Sequence, residues 1–236
     1  DQLLANNISI EQHTVKEIKI ESDGTFRVIT EDEWVGAAKS IIYACGCKHR
    51  ELPAKIDQGT PIHYCTICDG PLYKDKRAAV IGGGDVAFTQ AEYLSKICKD
   101  VYIVMCDQNV TAAPATFDRV SKLHNVHIWY DAPVTSISKD NEGVCWILCK
   151  GVRGPLFAEG VFVAIGMIPN TEPLRNNCSE LLSKQGYVMA TANGDTTIPG
   201  FFTAGDVRCK MLRQALTAAS DGACAVNSVV NYLKNR

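Results

Sequence analysis

Residues 77–87 read RAAVIGGGDVA, and this stretch decides the fold. A short apolar run ends in three glycines, and a helical pattern (DVAFTQAEYLSKIC) and a second apolar run (VYIVM) follow. Strand, tight glycine turn, helix and strand in this order make one βαβ unit. Glycines at such a turn let a phosphate approach the start of the helix, so the pattern indicates a dinucleotide-binding fold.

Five residues of this unit are candidates for binding the dinucleotide. Gly82, Gly84 and Ala87 supply the GxGxxA spacing, and Asp85 opens the helix. Asp107 ends the second strand, where a carboxylate can accept a hydrogen bond from a ribose 2′-hydroxyl. A glycine turn used for packing alone is the alternative interpretation.

Strands and helices interleave on both sides of this unit. Residues 8–43 alternate as short strands, and the C-terminal part passes from the strand FFTA to a helix from about Arg213 to Leu233. Four further strands are predicted between these regions, at VHIWY, VTSIS, GVCWILCK and GVFVAIG. The pattern predicts an α/β protein.

Composition limits the classes of function. The 236 residues are 46% hydrophobic, enough for more than one domain, and the net charge is −2. The basic residues are scattered, which argues against nucleic acid as a partner. No apolar run approaches the roughly 18 residues that a membrane span requires.

The cysteine count indicates the compartment. Eleven cysteines, an odd number, without a secretion signal argue for reduced thiols and a cytoplasmic protein. The chain begins at Asp1 rather than Met, so we expect its numbering to start inside a longer architecture.

The chemistry is concentrated at Cys65-Thr66-Ile67-Cys68-Asp69-Gly70. Two thiols three positions apart can close a small disulfide if the second lies in a helical turn, and such a pair can carry two electrons. Asp69 is a candidate proton donor, because reduction of a disulfide consumes protons.

Alternative interpretations of these residues remain. A zinc site with Cys45 and Cys47 is disfavoured, because CGC is one residue shorter than the usual zinc knuckle. His63 is expected to be a loop histidine. Seven more cysteines are expected to be buried bystanders: Cys98, Cys106, Cys145, Cys149, Cys178, Cys209 and Cys224.

Taken in order, six blocks of the chain resemble the low-molecular-weight thioredoxin reductases: IIYACG, CTICDG, GGGDVAFTQAEYL, GVFVAIGMIPNT, TTIPGFFTAGDV and RQALTAASDG. The resemblance implies two Rossmann-like three-layer domains, one for FAD and one for NADPH, in a homodimer that reduces a thioredoxin-like protein. The NAD(P)H-type domain, with the CxxC, would be residues 48–166. It would be inserted in an FAD domain made of residues 1–47 and 167–236.

The resemblance also assigns roles to single residues. Cys65 and Cys68 would be the redox pair and Asp69 the nearby acid. Asp206 would hold the ribityl or phosphate region of FAD, with a turn or helix-capping role as its alternative. The remaining flavin contacts would come from Ala44, Gly46, Arg213, Gln214 and Ala215, the last three at the start of the helix that faces the isoalloxazine.

Three departures from the family pattern alter these expectations. No GxGxxG precedes Gly82, so the FAD site is predicted to be incomplete in this chain, which should bind FAD poorly by itself. Met105, Cys106, Asp107 and Thr111 stand where NADPH-using members carry a His-Arg-Arg-x-x-x-Arg stretch. NADPH is therefore not expected to be preferred, and NADH or ferredoxin should serve instead. Cys45 for Thr and Ser220 for Gly are lesser changes.

The sequence thus predicts a flavin-dependent thioredoxin-disulfide reductase. A truncated remnant without activity, or a thiol redox sensor of the same fold, is the alternative. A ferredoxin–NADP reductase of the same fold is disfavoured, because such enzymes generally lack the CxxC.

Overall fold

A computed structural model describes Asn6 and residues 8–236. The chain forms two compact units, one made of the residues up to Lys48 together with Ile168–Arg236, and the other of His49–Met167. We call them the split unit and the inserted unit. Assigning FAD to one and a dinucleotide to the other stays a prediction.

Sixteen strands and four α-helices lie within the described residues. The strands are β1 (Val15–Ile20), β2 (Phe26–Thr30), β3 (Val35–Ala38), β4 (Ile41–Tyr43), β5 (Cys47–His49), β6 (Lys55–Ile56), β7 (Ile62–His63), β8 (Arg77–Ile81), β9 (Asp100–Val104), β10 (Val126–Trp129), β11 (Val134–Lys139), β12 (Cys145–Cys149), β13 (Leu156–Ala158), β14 (Gly160–Val163), β15 (Met167–Pro169) and β16 (Phe201–Thr203). The helices are α1 (Thr66–Asp69), α2 (Asp85–Ser95), α3 (Pro114–Ser121) and α4 (Ala215–Lys234). Short 3₁₀ turns span Gly70–Tyr73, Glu172–Leu174, Ser179–Leu181 and Gly205–Val207.

The inserted unit is built on a parallel five-stranded sheet with the order β10-β9-β8-β14-β7. Because side chains alternate along β8, Ala78 and Val80 pack with residues of helix α2 on one face. Ala79 and Ile81 pack on the other face against a second sheet, β13-β12-β11-β6. Burial on both faces explains why β8 is a continuous apolar run rather than an alternating one.

The split unit contains the parallel pair β4 and β16 and the antiparallel sheet β1-β2-β3. Its main core includes Phe26, Tyr43 and Phe201. A smaller cluster joins Phe202 and Ala204 of the β16 region to Ala225 of helix α4. Strand followed by packed helix is the pattern expected from FFTA and the C-terminal sequence.

The α/β prediction is confirmed, with differences at the ends of elements. The first strand begins at Val15 rather than at residue 8, and residues 1–5 and 7 of the predicted first segment lie outside the described residues. The unpredicted helix α3 starts at Pro114, a residue common at the first helical position. In the described part of the chain, no helix combines the length and apolar character of a membrane span.

Candidate active site

Cys65 and Cys68 are joined by a disulfide, and their Cα atoms are 5.3 Å apart. Cys65 is the N-cap of helix α1, where its Sγ accepts the backbone N–H of Cys68 at 3.2 Å. The backbone N–H of Asp69 donates to the Cys65 carbonyl at 3.0 Å. The helical turn therefore brings the two thiols together, and the predicted cysteine pair is confirmed as a bonded pair.

Asp69 belongs to a chain of three polar side chains beside this disulfide. Nδ1 of His63 lies 3.2 Å from Oδ2 of Asp69, and Nε2 of His63 lies 2.6 Å from the Tyr73 hydroxyl oxygen. The His63 side chain is 15% exposed and that of Asp69 36%. His63 is thus linked to the candidate acid, although the sequence predicted a loop histidine; it lies in strand β7.

The aromatic end of this chain is tightly packed. Tyr73 contacts the rings of His63 and Phe162 edge to face, and a Cβ at Gly160 would lie 2.7 Å from Cγ of Tyr73. Burial, and secondarily Cys145 and Asp69, raise the pKa of the Tyr73 hydroxyl. This tyrosine therefore keeps its proton at neutral pH.

The other nine cysteines are free thiols. Cys98, Cys145, Cys149 and Cys178 are buried as predicted, and burial raises the pKa of Cys98 and of Cys178 to about 11, so both stay protonated. The prediction of burial is wrong for Cys106 and Cys209, which are exposed, and Cys224 is half-buried. Cys106 and Cys209 lie in bends of the chain, where their apolar neighbours along the sequence do not cover them.

The glycine turn has a packing role. Gly82 has a φ of +146°, and a Cβ there would clash with the Ala164 carbonyl oxygen and lie 3.2 Å from Cβ of Ala87. Gly82 and Ala87 therefore allow strand β8, helix α2 and the end of β14 to approach closely. Close packing is thus one role of Gly82 and Ala87, and their role in binding a dinucleotide stays a prediction.

Protein contacts hold the turn at the start of helix α2 in place. Gly84 is the N-cap, and Oδ1 of Asp85 accepts the Ala113 N–H at 2.8 Å. The Thr111 N–H donates to the Gly83 carbonyl at 3.0 Å. Asp107 lies in the turn beyond the strand end at Val104 rather than at the strand end itself, and its Oδ1 accepts the Asn109 N–H at 2.8 Å.

A second candidate site lies in the split unit, at the C-terminal ends of β4 and β16. It is an open cavity of about 470 Å³ lined mostly by small residues, which include Ala44, Gly46, Gly205 and Gly222. A Cβ added at Gly46 or at Gly222 would meet nothing within 4 Å. These glycines therefore leave room for a ligand rather than for neighbouring protein.

Asp206 faces this cavity from the 3₁₀ turn Gly205–Val207. Its Oδ1 is buried and has no hydrogen-bond partner among the described residues, although Nζ of Lys210 lies 3.7 Å away. Buried carboxylate oxygens normally accept hydrogen bonds, so this atom fits a ligand that supplies a hydroxyl donor. A ribityl chain is such a ligand, so the small-residue cavity fits the ribityl part of a flavin.

Helix α4 starts at Ala215, with Gln214 as its N-cap and Arg213 one residue before. The Gln214 N–H donates to Thr217 Oγ1 at 3.1 Å. Nε of Arg213 donates to the Asp206 carbonyl at 3.2 Å, and its guanidinium lies 4.1 Å from the centre of the Tyr187 ring. Arg213 thus holds the Asp206 turn in place.

A buried ion cluster supports the same turn. Asp221 of α4 accepts from Arg208 at 2.7 Å and from Lys210 at 2.9 Å, and its Oδ2 also accepts the Gly205 N–H. Burial alone would raise the pKa of Asp221, but hydrogen bonds from these two cations outweigh it and lower that pKa. This cluster was not predicted from the sequence, where its signal is an acid in α4 with two basic residues shortly before the helix.

Comparison with known proteins identifies the family of this chain. The family model described as pyridine nucleotide-disulphide oxidoreductase matches residues 2–222. The chain is 35% identical over 234 residues to the 34.2 kDa protein in rubredoxin operon of Clostridium pasteurianum, covering 96% of this chain and 74% of that one. It is 33% identical over 222 residues to thioredoxin reductase of Borreliella burgdorferi, covering 91% and 68%.

A solved structure has a similar fold. The crystal structure of thioredoxin reductase from Streptococcus pyogenes superposes with a TM-score of 0.88 at 31% identity, over 100% of this chain and 78% of that one. The bonded Cys65–Cys68 pair beside an acid matches the chemistry that the family description states. The chain therefore belongs to the pyridine nucleotide-disulphide oxidoreductase family, and it is a thioredoxin reductase-like member of it.

Proposed function

We propose that this protein is a flavin-dependent reductase that passes electrons through the Cys65–Cys68 disulfide to a thioredoxin-like protein. The observation that carries the proposal is the disulfide itself, closed within one helical turn beside Asp69. Cys65 and Cys68 would exchange with the disulfide of the partner, and Asp69 would give or take the proton that each thiol–disulfide step requires. Homologues named thioredoxin reductase support this partner.

FAD would lie in the cavity of the split unit. Asp206 would accept a ribityl hydroxyl, Ala44 and Gly46 would allow close approach, and Arg213, Gln214 and Ala215 would lie beside the ring at the start of α4. A bound flavin supplies two-electron transfer between a donor and the disulfide. By this proposal the split unit is the FAD domain and the inserted unit the dinucleotide-type domain.

The electron donor would be NADH or ferredoxin rather than NADPH. Residues 105–113 contain no Lys or Arg to hold a 2′-phosphate, and Asp107 would repel one. Two missing arginine contacts, at about 1.5–3 kcal/mol each, correspond to a loss of roughly a hundredfold or more. Gly82, Gly84, Asp85 and Ala87 keep a turn that could still hold NADH.

Two further properties complete the proposal. Nine free cysteines fit the reducing conditions of the cytoplasm. A homodimer is proposed by analogy with the family.

The decisive experiment follows electron transfer in the FAD-loaded protein. Stopped-flow reduction by NADPH, NADH and reduced ferredoxin gives the preferred donor, and reduction of a thioredoxin-like disulfide then gives the activity. A kcat/KM for NADPH that equals or exceeds the other two would contradict the donor assignment. Because the chain is expected to bind FAD weakly, FAD is supplied at saturating concentration, and protein that stays colourless even then would favour the remnant or thiol sensor instead.

A further inference from the structure

His63 lies between the candidate acid and a buried tyrosine. It belongs to strand β7, which pairs with β14, and Asp69 and Tyr73 reach it from α1 and from the following 3₁₀ turn. Asp69 and Tyr73 are four residues apart, so one continuous helical segment presents both to the same ring. The arrangement thus has a polar contact at each ring nitrogen, at 3.2 and 2.6 Å.

These two partners can satisfy both ring nitrogens of the imidazole, whether it is neutral or protonated. The carboxylate accepts a hydrogen bond from Nδ1–H in either state. The Tyr73 hydroxyl donates to Nε2 when the imidazole is neutral and accepts from Nε2–H when it is protonated. Because burial raises the pKa of Tyr73, the hydroxyl stays neutral and keeps both capacities.

Few other groups act on this ring. Strand β14 contributes the Phe162 ring, 5.2 Å from the ring of His63, and no titratable side chain among Gly160–Val163. Beyond Tyr73 the buried thiol of Cys145 is the next titratable group, and burial raises its pKa. Asp69 is therefore the charged partner that faces His63 among the described residues.

We propose that His63 is a positioning residue that orients Asp69 and holds the proton that Asp69 delivers to the Cys65–Cys68 pair. The proposal rests on the function proposed above. It also assigns Tyr73 the role of fixing the His63 ring in both protonation states.

Reduction adds two electrons, breaks the bond between the two sulfurs and leaves two thiolates. Asp69 begins as a carboxylate that accepts a hydrogen bond from Nδ1–H of protonated His63, and it takes that proton and passes it to one sulfur. The result is one thiol, one thiolate, the carboxylate and a neutral imidazole, which solvent reprotonates. The electrons come from the flavin in the proposed function and from dithiothreitol in the test.

The test compares wild type with His63→Asn and His63→Ala from pH 5.5 to 9. Asparagine places an N–H near the Nδ1 position, so it can orient Asp69, but it cannot hold a proton. Reduction of the Cys65–Cys68 disulfide by dithiothreitol is followed by acid quenching and mass measurement, and no flavin is required.

We expect His63→Asn to be about tenfold slower than wild type at the acidic end of this range and equal to it at the alkaline end. His63→Ala, which also loses the contact that orients Asp69, should be slower at every pH. Rates of His63→Asn that equal wild type at every pH, or that are reduced equally at every pH, overturn the proposal. Failure of wild type to form or reduce this disulfide would instead contradict the proposed function.

A second measurement does not depend on His63 variants folding. The ring-nitrogen signals of histidine-labelled protein are compared by NMR in wild type, Asp69→Asn and Asp100→Asn. Asp100 contacts Nε2 of His127 at 3.1 Å, so its variant is a matched control on a different histidine. Asp69→Asn should move the Nδ1 signal of His63 and leave the signals of His127 unchanged, and Asp100→Asn should move the Nε2 signal of His127 and leave His63 unchanged. A His63 Nδ1 signal that does not respond to Asp69→Asn overturns the proposal.

Discussion

The two candidate sites differ in how their buried polar atoms are satisfied. In the inserted unit, Asp69, His63 and Tyr73 complete one another's hydrogen bonds beside the disulfide. In the split unit, Oδ1 of Asp206 faces a cavity without a hydrogen-bond partner among the described residues. A site whose chemistry is carried by side chains can be complete by itself, whereas a site for a cofactor leaves room and an unused acceptor.

The largest effect is expected at the disulfide site of the inserted unit. Cys68→Ser should lower reduction of a thioredoxin-like disulfide by roughly 10³-fold or more, because neither the internal disulfide nor its exchange can form. The rate is measured on FAD-loaded protein with an insulin-coupled assay. Cys209→Ser, which removes an exposed thiol, is the control and should stay close to wild type. Comparable losses in both variants would contradict the assignment of the redox pair.

The buried ion cluster beside the small-residue cavity should show the next largest effect. Asp221→Asn leaves Arg208 and Lys210 without their buried counter-ion, which should lower the free energy of unfolding by about 3–5 kcal/mol. Urea unfolding measures it. Asp118→Asn, whose pair with Lys122 is exposed, should change that free energy by less than about 1 kcal/mol.

The same variant carries a pH signature. Because the folded state lowers the pKa of Asp221, its contribution is present above the ordinary aspartate pKa and is lost as the pH falls through the lowered value. Wild type should therefore lose part of its stability on acidification below about pH 4, and Asp221→Asn should lose less. An unchanged acid dependence in the variant would show that other carboxylates dominate.

Asp206→Ala tests whether the unused acceptor serves a ligand. Loss of one hydrogen bond to a carboxylate should weaken FAD binding roughly 10- to 150-fold. Flavin fluorescence titration gives the Kd on protein that retains flavin. Asp107→Ala removes a carboxylate from the inserted unit and should leave FAD affinity unchanged, so equal effects of the two variants would remove the distinction between the sites.

The smallest effects are expected for Gly222→Ala, which should stabilise the fold and weaken FAD binding. Gly222 lies inside α4 and faces the cavity, so Gly222→Ala should raise the free energy of unfolding by up to about 1 kcal/mol and weaken FAD binding several-fold. Gly194 has a φ of +85°, and a Cβ there would lie 2.6 Å from the Thr203 carbonyl oxygen. Gly194→Ala should therefore destabilise the protein. Tighter FAD binding by Gly222→Ala would contradict the cavity assignment.

The sequence predicted the parts of the molecule that local patterns determine. The strand at 77–81, the glycine turn, the start of α2 and the bonded cysteine pair follow from apolar runs and short spacings. His63 was missed because β7 has two residues and its role depends on contacts made across a helical turn. The four-residue spacing of Asp69 and Tyr73 indicates that both side chains lie on one face of a helical segment, but it does not identify His63 as their shared partner.

The unpartnered Asp206 oxygen was equally invisible to sequence reasoning. A motif such as AGDV indicates that an aspartate follows a strand, but the lack of a hydrogen-bond partner is a property of the folded surroundings. The predicted strand-end position of Asp107 and the predicted burial of Cys106 and Cys209 were wrong for the same reason. These residues lie beyond the strands, where the apolar pattern of the sequence no longer predicts burial.

The contact between the Tyr73 ring and Gly160 has a consequence for the divergence of this lineage. A Cβ at position 160 and a ring at position 73 compete for the same space, so neither site is free to drift while the other stays fixed. Substitutions at the two positions should therefore appear together among descendants, with a side chain at 160 accompanied by a smaller residue at 73. Such a paired change would also remove the hydroxyl that holds His63. Descendants with a smaller residue at position 73 should therefore often have lost the histidine at position 63 as well.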